Sequence, residues 1–209
     1  INLDRVQDFA LNPTTNKIYA TNSKGISVID GTTDGVSDTI NVKGQQIAIN
    51  PTTNKIYTVT LNQTTISSDI SVIDASTKTV RTIVVESAGT IAINPSTNMI
   101  YVTVSSSGGG ILIIDGNSDQ VVGTIPTPSM AGSITVNPTT NKIYVTTSNA
   151  VLVIDATTNS ITKTISARPY QITVNPTTNR IYYTSPDTSN IYVIDGSTDT
   201  LINTIGTSI

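Results

Sequence analysis

The 209-residue chain has a net charge of −3 and only 12% charged residues, so its polar surface comes mainly from Thr, Ser and Asn. Because no run of Lys or Arg occurs, nucleic acids and anionic membrane surfaces are poor candidates as partners. The absence of Cys and His removes disulfides, thiolate chemistry, His-dependent triads and the usual protein ligands of zinc and copper.

Length and hydrophobicity predict one β-rich domain. The combination of 37% hydrophobic residues with abundant Thr and Ser favours strands over helices. No stretch approaches the roughly 18 continuous apolar residues that a membrane helix needs, so we expect no membrane insertion. We therefore predict a single domain over residues 1–209. Since the chain begins at Ile1 rather than Met, we interpret it as a mature or excised part of a longer precursor.

A five-residue motif, Asn-Pro-Thr/Ser-Thr-Asn, recurs along the chain, and each copy is followed within three residues by Ile-Tyr. An Asn side chain at the first position can bond a backbone amide two residues on, Pro fixes φ, and the last Asn tolerates the left-handed region. Each copy is therefore predicted to be a tight turn that joins two antiparallel strands. The copies begin at Asn12, Asn50, Asn94, Asn137 and Asn175.

A second five-residue turn with the same order of residue types follows in each repeat, and it starts with Asp. The Asp carboxylate is interpreted as a turn cap, because one carboxylate per turn falls short of the oxygen ligands that Ca²⁺ prefers. With two hairpins, each repeat contains four strands. These turns start at Asp30, Asp74, Asp115, Asp155 and Asp195.

Repeats of roughly forty residues with four strands each are the sequence signature of propeller blades. We therefore predict an all-β, five-bladed β-propeller with four antiparallel strands per blade and one contiguous repeat per blade. The predicted blades cover approximately residues 1–42, 43–85, 86–127, 128–167 and 168–209.

The segment Asn-Pro-Thr-Thr-Asn-Lys-Ile-Tyr-Val-Thr, residues 137–146, followed by Val-Ile-Asp at 153–155, resembles the YVTN β-propeller repeat. The resemblance covers all five repeats. That family includes archaeal surface-layer proteins and bacterial secreted or periplasmic proteins, commonly with seven blades. The resemblance implies an extracellular, cell-surface or periplasmic location and a surface-associated role, and it supplies no shared set of catalytic residues.

Both kinds of turn are predicted at one end of the blades, and the loops at the other end differ between repeats. Since the repeats are internal copies, uniform positions mark the scaffold and variable ones mark where a specific task can be added. The segment Arg168-Pro169-Tyr170-Gln171 is not repeated and is the strongest candidate for a contact with a partner, together with Asp187, and the competing interpretation is a plain loop between blades. The variable loops span residues 61–69, 105–110, 148–150 and 185–190.

These patterns favour a non-catalytic, exported module that binds a protein or a cell-envelope component through its variable end, without a cofactor. The alternative is a propeller-type lyase or lactonase with an acid pair, or with Ca²⁺ or Mg²⁺, at the top of the central channel. Asp8, Asp69 and Glu86 are its candidate acids, and the competing interpretation is that they are solvated loop acids. A carbohydrate-binding propeller is a second alternative.

Two further sets of repeated residues have structural interpretations. The tyrosines could form a stacking array for sugars or bases, but their position after Ile in a buried strand favours packing between blades. The basic residues beside the turns are predicted to form exposed ion pairs of little energetic value. The tyrosines are Tyr19, Tyr57, Tyr101, Tyr144 and Tyr182, and the basic residues are Lys17, Lys55, Lys142 and Arg180.

Overall fold

The structure is a computed structural model that describes residues 3, 5–62, 67–105 and 109–206. Its regular elements are five antiparallel sheets of four strands, and in each sheet the strands follow chain order. Each sheet is formed by one repeat. The predicted fold class, an all-β five-bladed β-propeller with four antiparallel strands per blade, is confirmed. Within the described part of the chain, no helix has the length and apolarity needed to cross a membrane.

The strands form the sheets in sequence. Sheet 1 contains β1 (Asp8–Asn12), β2 (Lys17–Asn22), β3 (Gly25–Asp30) and β4 (Val36–Ile40). Sheet 2 contains β5 (Ile47–Asn50), β6 (Lys55–Asn62), β7 (Ser67–Asp74) and β8 (Val80–Ile83). Sheet 3 contains β9 (Ala88–Asn94), β10 (Met99–Val104), β11 (Gly110–Asp115) and β12 (Gln120–Ile125). Sheet 4 contains β13 (Ile134–Asn137), β14 (Lys142–Thr146), β15 (Ala150–Asp155) and β16 (Ser160–Ser166). Sheet 5 contains β17 (Ile172–Asn175), β18 (Arg180–Thr184), β19 (Asn190–Asp195) and β20 (Thr200–Gly206).

The chain divides into two compact units. Unit 1 consists of residues 1–100 with 114–121 and holds sheets 1 and 2, and unit 2 consists of residues 101–113 with 122–209 and holds sheets 4 and 5. Sheet 3 contributes to both. Because each sheet is a meander, its two five-residue turns lie at one end, here called the turn end. Its middle loop and the links to neighbouring sheets lie at the other, here called the loop end. In the loops of sheets 2 and 3, residues 63–66 and 106–108 lie outside the described residues.

The turns have the predicted backbone. The last residue of each turn has φ between 51° and 60°, the left-handed region that short polar side chains tolerate. The first residue caps the turn: the Thr14 N–H donates to Asn12 Oδ1 over 3.0 Å, and the Thr32 N–H donates to Asp30 Oδ1 over 2.8 Å. The residues with positive φ at these positions are Asn16, Asp34, Asn54, Lys78, Asn98, Asp119, Asn141, Asn159, Asn179 and Asp199.

Neighbouring sheets pack through two different faces. The repeated Tyr defines the Tyr face of each sheet, and the opposite side is its Ile face. In unit 1 the Tyr face of sheet 1 packs against the Ile face of sheet 2, and in unit 2 the Tyr face of sheet 4 packs against the Ile face of sheet 5. Each fully buried Ile contributes about 1.5–3 kcal/mol to folding. The unit 1 cluster contains Tyr19, Ile26, Val28 and Ile40 against Ile47, Ile56 and Ile73, and the unit 2 cluster contains Tyr144, Val151 and Val153 against Ile172, Ile181, Tyr183 and Ile194.

Burial confirms the core role of four of the repeated tyrosines. Tyr19, Tyr57, Tyr101 and Tyr144 have 2%, 0%, 1% and 0% of their surface exposed. The prediction is wrong for Tyr182, which is only half-buried although it follows Ile181 at the same position of its repeat.

Candidate functional site

The segment that leads into sheet 5 has a fixed backbone and an exposed aromatic side chain. The Tyr170 N–H donates to the Thr184 carbonyl over 2.7 Å, and the Thr184 N–H donates to the Gln171 carbonyl over 3.0 Å. These bonds extend the pairing of β17 with β18 beyond Ile172. The Tyr170 side chain, 64% exposed, is therefore presented to solvent from a rigid support.

Arg168 and Asp187, both predicted as contact residues, meet at the loop end of sheet 5. One guanidinium nitrogen of Arg168 donates to both carboxylate oxygens of Asp187, over 3.0 and 2.8 Å. Their side chains are 67% and 46% exposed, so the pair contributes at most about 1 kcal/mol. Its effect is to hold the last variable loop against the segment that carries Tyr170.

Gln171 connects the links that enter sheets 4 and 5. The Ser133 hydroxyl donates to Gln171 Oε1 over 3.2 Å and accepts the Ile172 N–H over 3.3 Å. Arg168, Tyr170, Gln171 and Asp187 thus form one exposed polar and aromatic cluster at the loop end of unit 2. We call these four residues the loop-end cluster.

A cavity of about 220 Å³ with both polar and apolar lining residues lies at the loop end of sheet 4. The Ser129 hydroxyl oxygen is buried and has no hydrogen-bond partner among the described residues. Met130 beside it is 65% exposed. Sequence reasoning missed this cavity, although the non-repeated Pro126-Thr127-Pro128-Ser129 in the link was a usable signal. The lining residues are Pro128, Ser129, Thr147, Ser148, Asn149, Ala150, Leu152, Thr164 and Ser166.

Two of the three candidate acids of unit 1, Asp8 and Asp69, accept hydrogen bonds from backbone amides. Asp8 Oδ2 accepts the Ile47 N–H over 2.9 Å, which ties the first strand of sheet 2 to sheet 1. Asp69 is 6% exposed, and its Oδ1 accepts the Val85 N–H over 3.4 Å, so it is not a solvated loop acid. Glu86 is exposed. Over the described ranges, no three acidic side chains gather closely enough to hold a metal ion.

The turn end contains contacts that the sequence did not reveal. Lys55 Nζ lies 2.8 Å from Asp119 Oδ2, and Lys142 Nζ lies 2.6 Å from Asp199 Oδ2. The lysine side chains are 21% and 24% exposed, and the carboxylates 13% and 12%, so these pairs are largely buried between sheets. The prediction of exposed pairs beside the turns is therefore wrong for Lys55 and Lys142.

Each of these carboxylates also accepts a tyrosine hydroxyl. The Tyr57 hydroxyl donates to Asp119 Oδ1 over 3.1 Å, and the Tyr144 hydroxyl donates to Asp199 Oδ1 over 2.7 Å. Burial, together with the adjacent carboxylate, raises the pKa of both tyrosines. This Lys–Tyr–Asp arrangement joins the Tyr face of one sheet to the second turn of the next, and its role is structural.

No family model matches the chain, and none of the curated proteins matches its sequence. Among solved structures, the chain is similar to a hydrazine synthase from Kuenenia stuttgartiensis, with a TM-score of 0.78 and 16% sequence identity. The similarity covers 96% of this chain and 67% of that chain. At this level of identity the similarity concerns the fold alone.

Proposed function

We propose that the protein is a non-catalytic, exported or cell-surface module that binds a protein or a cell-envelope component through the loop end of unit 2. The observation that carries this proposal is the exposure of Tyr170, at 64%, on a backbone held by hydrogen bonds to Thr184 and Gln171. An aromatic side chain on a rigid support loses little conformational entropy on binding, and Tyr and Arg are enriched among residues that dominate protein interfaces.

The surroundings of Tyr170 support this role. Met130 adds a second exposed apolar side chain on the neighbouring link. The Arg168–Asp187 pair supplies one donor group and one acceptor group, both open to solvent. A centre of aromatic and apolar groups with polar groups beside it is the composition of a protein-binding patch. The resemblance to YVTN repeats suggests that the partner belongs to the cell envelope or the extracellular space.

Site-specific photo-crosslinking tests the proposal. A benzophenone amino acid replaces Tyr170 in one variant and Val122 in another, since Val122 is also an exposed apolar residue, at 58%, but lies on the outer strand β12. In an envelope extract we expect a discrete adduct from position 170 that is absent from position 122. Competition by the unlabelled wild type should abolish the adduct, and competition by the Tyr170→Ala/Arg168→Ala variant should not. Equal competition by the two proteins would refute the proposal.

The metal-dependent form of the lyase or lactonase alternative is tested by the effect of divalent cations on stability. The proposed module requires neither Ca²⁺ nor Mg²⁺, so its melting temperature should be the same in excess Ca²⁺, in excess Mg²⁺ and in EDTA. A ligand that binds only the folded state at about 100 times its dissociation constant stabilises by about 2.7 kcal/mol, which a melting experiment detects readily. A shift of that size in either cation would favour the enzyme.

Carbohydrate binding is the second candidate, and the cavity of about 220 Å³ favours it. Its lining of Ser, Thr and Asn side chains can donate and accept hydrogen bonds, as sugar hydroxyls require. A glycan array probed with wild type and with Asn149→Ala tests this function. Binding that the variant loses would favour a lectin, and silence of the wild type would remove that candidate.

A further inference from the structure

The cavity at the loop end of sheet 4 is lined by the Ile face of that sheet and by the link that enters it. Ala150 pairs with Ser166, and Leu152 pairs with Thr164, across β15 and β16. Because opposite and alternate residues of paired strands point to the same side, these four side chains share one face. The cavity therefore has apolar groups and hydroxyls side by side. The link contributes Pro128 and Ser129.

The loop that lines the cavity has a fixed backbone. The Thr147 N–H donates to the Ala150 carbonyl over 2.8 Å, and the Ala167 N–H donates to the Asn149 carbonyl over 3.1 Å. Ser148 and Asn149 are exposed. Side chains on a support that is already ordered lose less conformational freedom when a ligand binds, so the loop favours binding.

Four exposed polar side chains around the cavity have unused hydrogen-bonding capacity. The Thr147 hydroxyl is engaged, because it donates to the Ala150 carbonyl over 3.1 Å. Hydroxyls can both donate and accept, and a side-chain amide nitrogen donates. The groups without a hydrogen-bond partner in the described parts of the chain are the hydroxyls of Ser148, Thr164 and Ser166 and the side-chain nitrogen of Asn149.

The lining of the cavity carries no charge, since it contains no Lys, Arg, Asp or Glu. Lys163 precedes Thr164 but lies on the opposite face of β16, where its Nζ donates to the Thr198 carbonyl over 3.0 Å. A carboxylate that enters such a site loses water without gaining a cation, which is unfavourable. The cavity therefore favours an uncharged ligand.

The size of the cavity sets an upper limit on the ligand. Pockets for drug-sized molecules have volumes of roughly 300–1,000 Å³. At about 220 Å³, this cavity suits a single small ring. A sugar ring presents hydroxyls at its edge and C–H groups on its faces, which match the hydroxyls of Thr164 and Ser166 beside the apolar Ala150 and Leu152.

We propose that the cavity binds one uncharged sugar ring, as the end of a glycan, and discriminates against acidic sugars. This inference rests on the carbohydrate-binding candidate and adds the ligand class and the residues that determine it. Thr164 and Ser166 contact the ring hydroxyls from β16, and Ser148 and Asn149 contact them from the loop. The absence of a cation in the lining is the basis of the discrimination.

Matched pairs of sugars test the discrimination in the wild type. Methyl glucoside and methyl glucuronide differ only in the group at C6, and the galactose and mannose series supply two further pairs. Saturation-transfer NMR titrations give the dissociation constant of each glycoside. At least one neutral glycoside should bind, and its acidic counterpart should bind at least about tenfold more weakly, because its carboxylate finds no cation.

A lysine introduced at the cavity should reverse this preference. In Thr164→Lys the affinity for the acidic glycoside, relative to the neutral one, should rise at least about tenfold over that of the wild type. Thr82→Lys is the matched control, because Thr82 pairs with Ser71 in sheet 2 as Thr164 pairs with Leu152, is also exposed, and does not line the cavity. It should keep the wild-type preference. Ser148→Lys, in the exposed loop, repeats the test if Thr164→Lys does not fold.

The outcomes separate this inference from the candidate function beneath it. A wild type that binds a neutral glycoside and its acidic counterpart equally would overturn the proposed discrimination and leave carbohydrate binding in place. Lysine variants of the cavity that behave like Thr82→Lys would show that sugars bind elsewhere. A wild type that binds none of the glycosides would remove both the carbohydrate-binding candidate and this proposal, without bearing on the partner that contacts Tyr170.

Discussion

The hydroxyl of Tyr144, in sheet 4, donates a 2.7 Å hydrogen bond to Oδ1 of Asp199, at the last turn of sheet 5. Asp199 also accepts from Lys142, and its surface is 9% exposed, so two donors from one sheet converge on a nearly buried carboxylate of the next. The same contacts join Tyr57 and Asp119 in unit 1. They link a position early in one repeat to a position late in the following repeat.

Removing the Tyr144 hydroxyl should destabilise the protein while leaving the ring in place. Tyr144→Phe leaves the largely buried Asp199 without one of its donors, which costs about 1–3 kcal/mol. The control is Tyr101→Phe: burial alone raises the pKa of Tyr101, with no carboxylate beside it. Urea unfolding should show a clearly smaller loss for the control, and equal losses would contradict the assigned hydrogen bond.

We expect the free energy of unfolding to decrease at alkaline pH. The pKa of Tyr57 and of Tyr144 is raised in the fold by burial and by the neighbouring carboxylate, so above pH about 10 the unfolded chain releases these protons first. The stabilising contribution is complete below that pH and decreases as pH rises. In the Tyr57→Phe/Tyr144→Phe variant, the free energy of unfolding, expressed relative to its value at neutral pH, should decrease less steeply at alkaline pH than in the wild type. A slope like that of the wild type would contradict this prediction.

The free energy of unfolding at acidic pH depends on the Asp carboxylates that begin the second turn of each repeat. Backbone N–H donors of Thr157 and Thr158 hold the pKa of Asp155 below its ordinary value, and the corresponding Asp of every other repeat is affected in the same way. This stabilisation is present above pH about 4 and is lost as pH falls through the lowered value. Asp155→Asn, whose amide oxygen still caps the turn, should reduce the acid loss. The Asp155→Ala variant should instead be less stable than the wild type at every pH. The midpoints of urea unfolding, measured over a range of pH values, check both expectations.

The left-handed backbone at Asn141, with φ of 52°, predicts unequal losses of stability for two substitutions. Asn141→Gly and Asn141→Val both lose the bond from Nδ2 to the Thr157 hydroxyl, so that loss cancels in their difference. The β-branched side chain adds a steric cost of about 1–2 kcal/mol in this region, and Gly adds none. Thermal melting of both variants checks this, and equal melting temperatures would refute the assigned turn.

Burial predicts unequal costs for two tyrosines at the same repeat position. Tyr144→Ala removes a fully buried ring and should cost about 3–5 kcal/mol. Tyr182→Ala removes a ring that is only partly buried and should cost less, because less apolar area is lost. Both costs are measured by urea unfolding. Equal costs would contradict the difference in burial between the two tyrosines.

The loop-end cluster was predicted in part. Arg168 and Tyr170 stand out because they interrupt the repeat, and internal repetition makes such interruptions visible without any relative. The partner of Arg168 and the cavity around Ser129 were not predictable as contacts, because their residues come from separate loops and links. The role of Asp8 was likewise hidden, since a carboxylate that accepts the Ile47 amide reads in the sequence like any loop acid.

The architecture followed from local chemistry. Asn12, Pro13 and Asn16 determine one turn within five consecutive residues, and their counterparts determine the corresponding turn of every repeat. The turns, and therefore the four-stranded sheets, can be predicted directly from the residue order. The burial of each tyrosine and of each lysine side chain depends instead on whether a neighbouring sheet covers its face. Tyr144 and Tyr182 have nearly identical local sequences and different surroundings, because burial arises from packing between sheets and not from the residues beside each tyrosine.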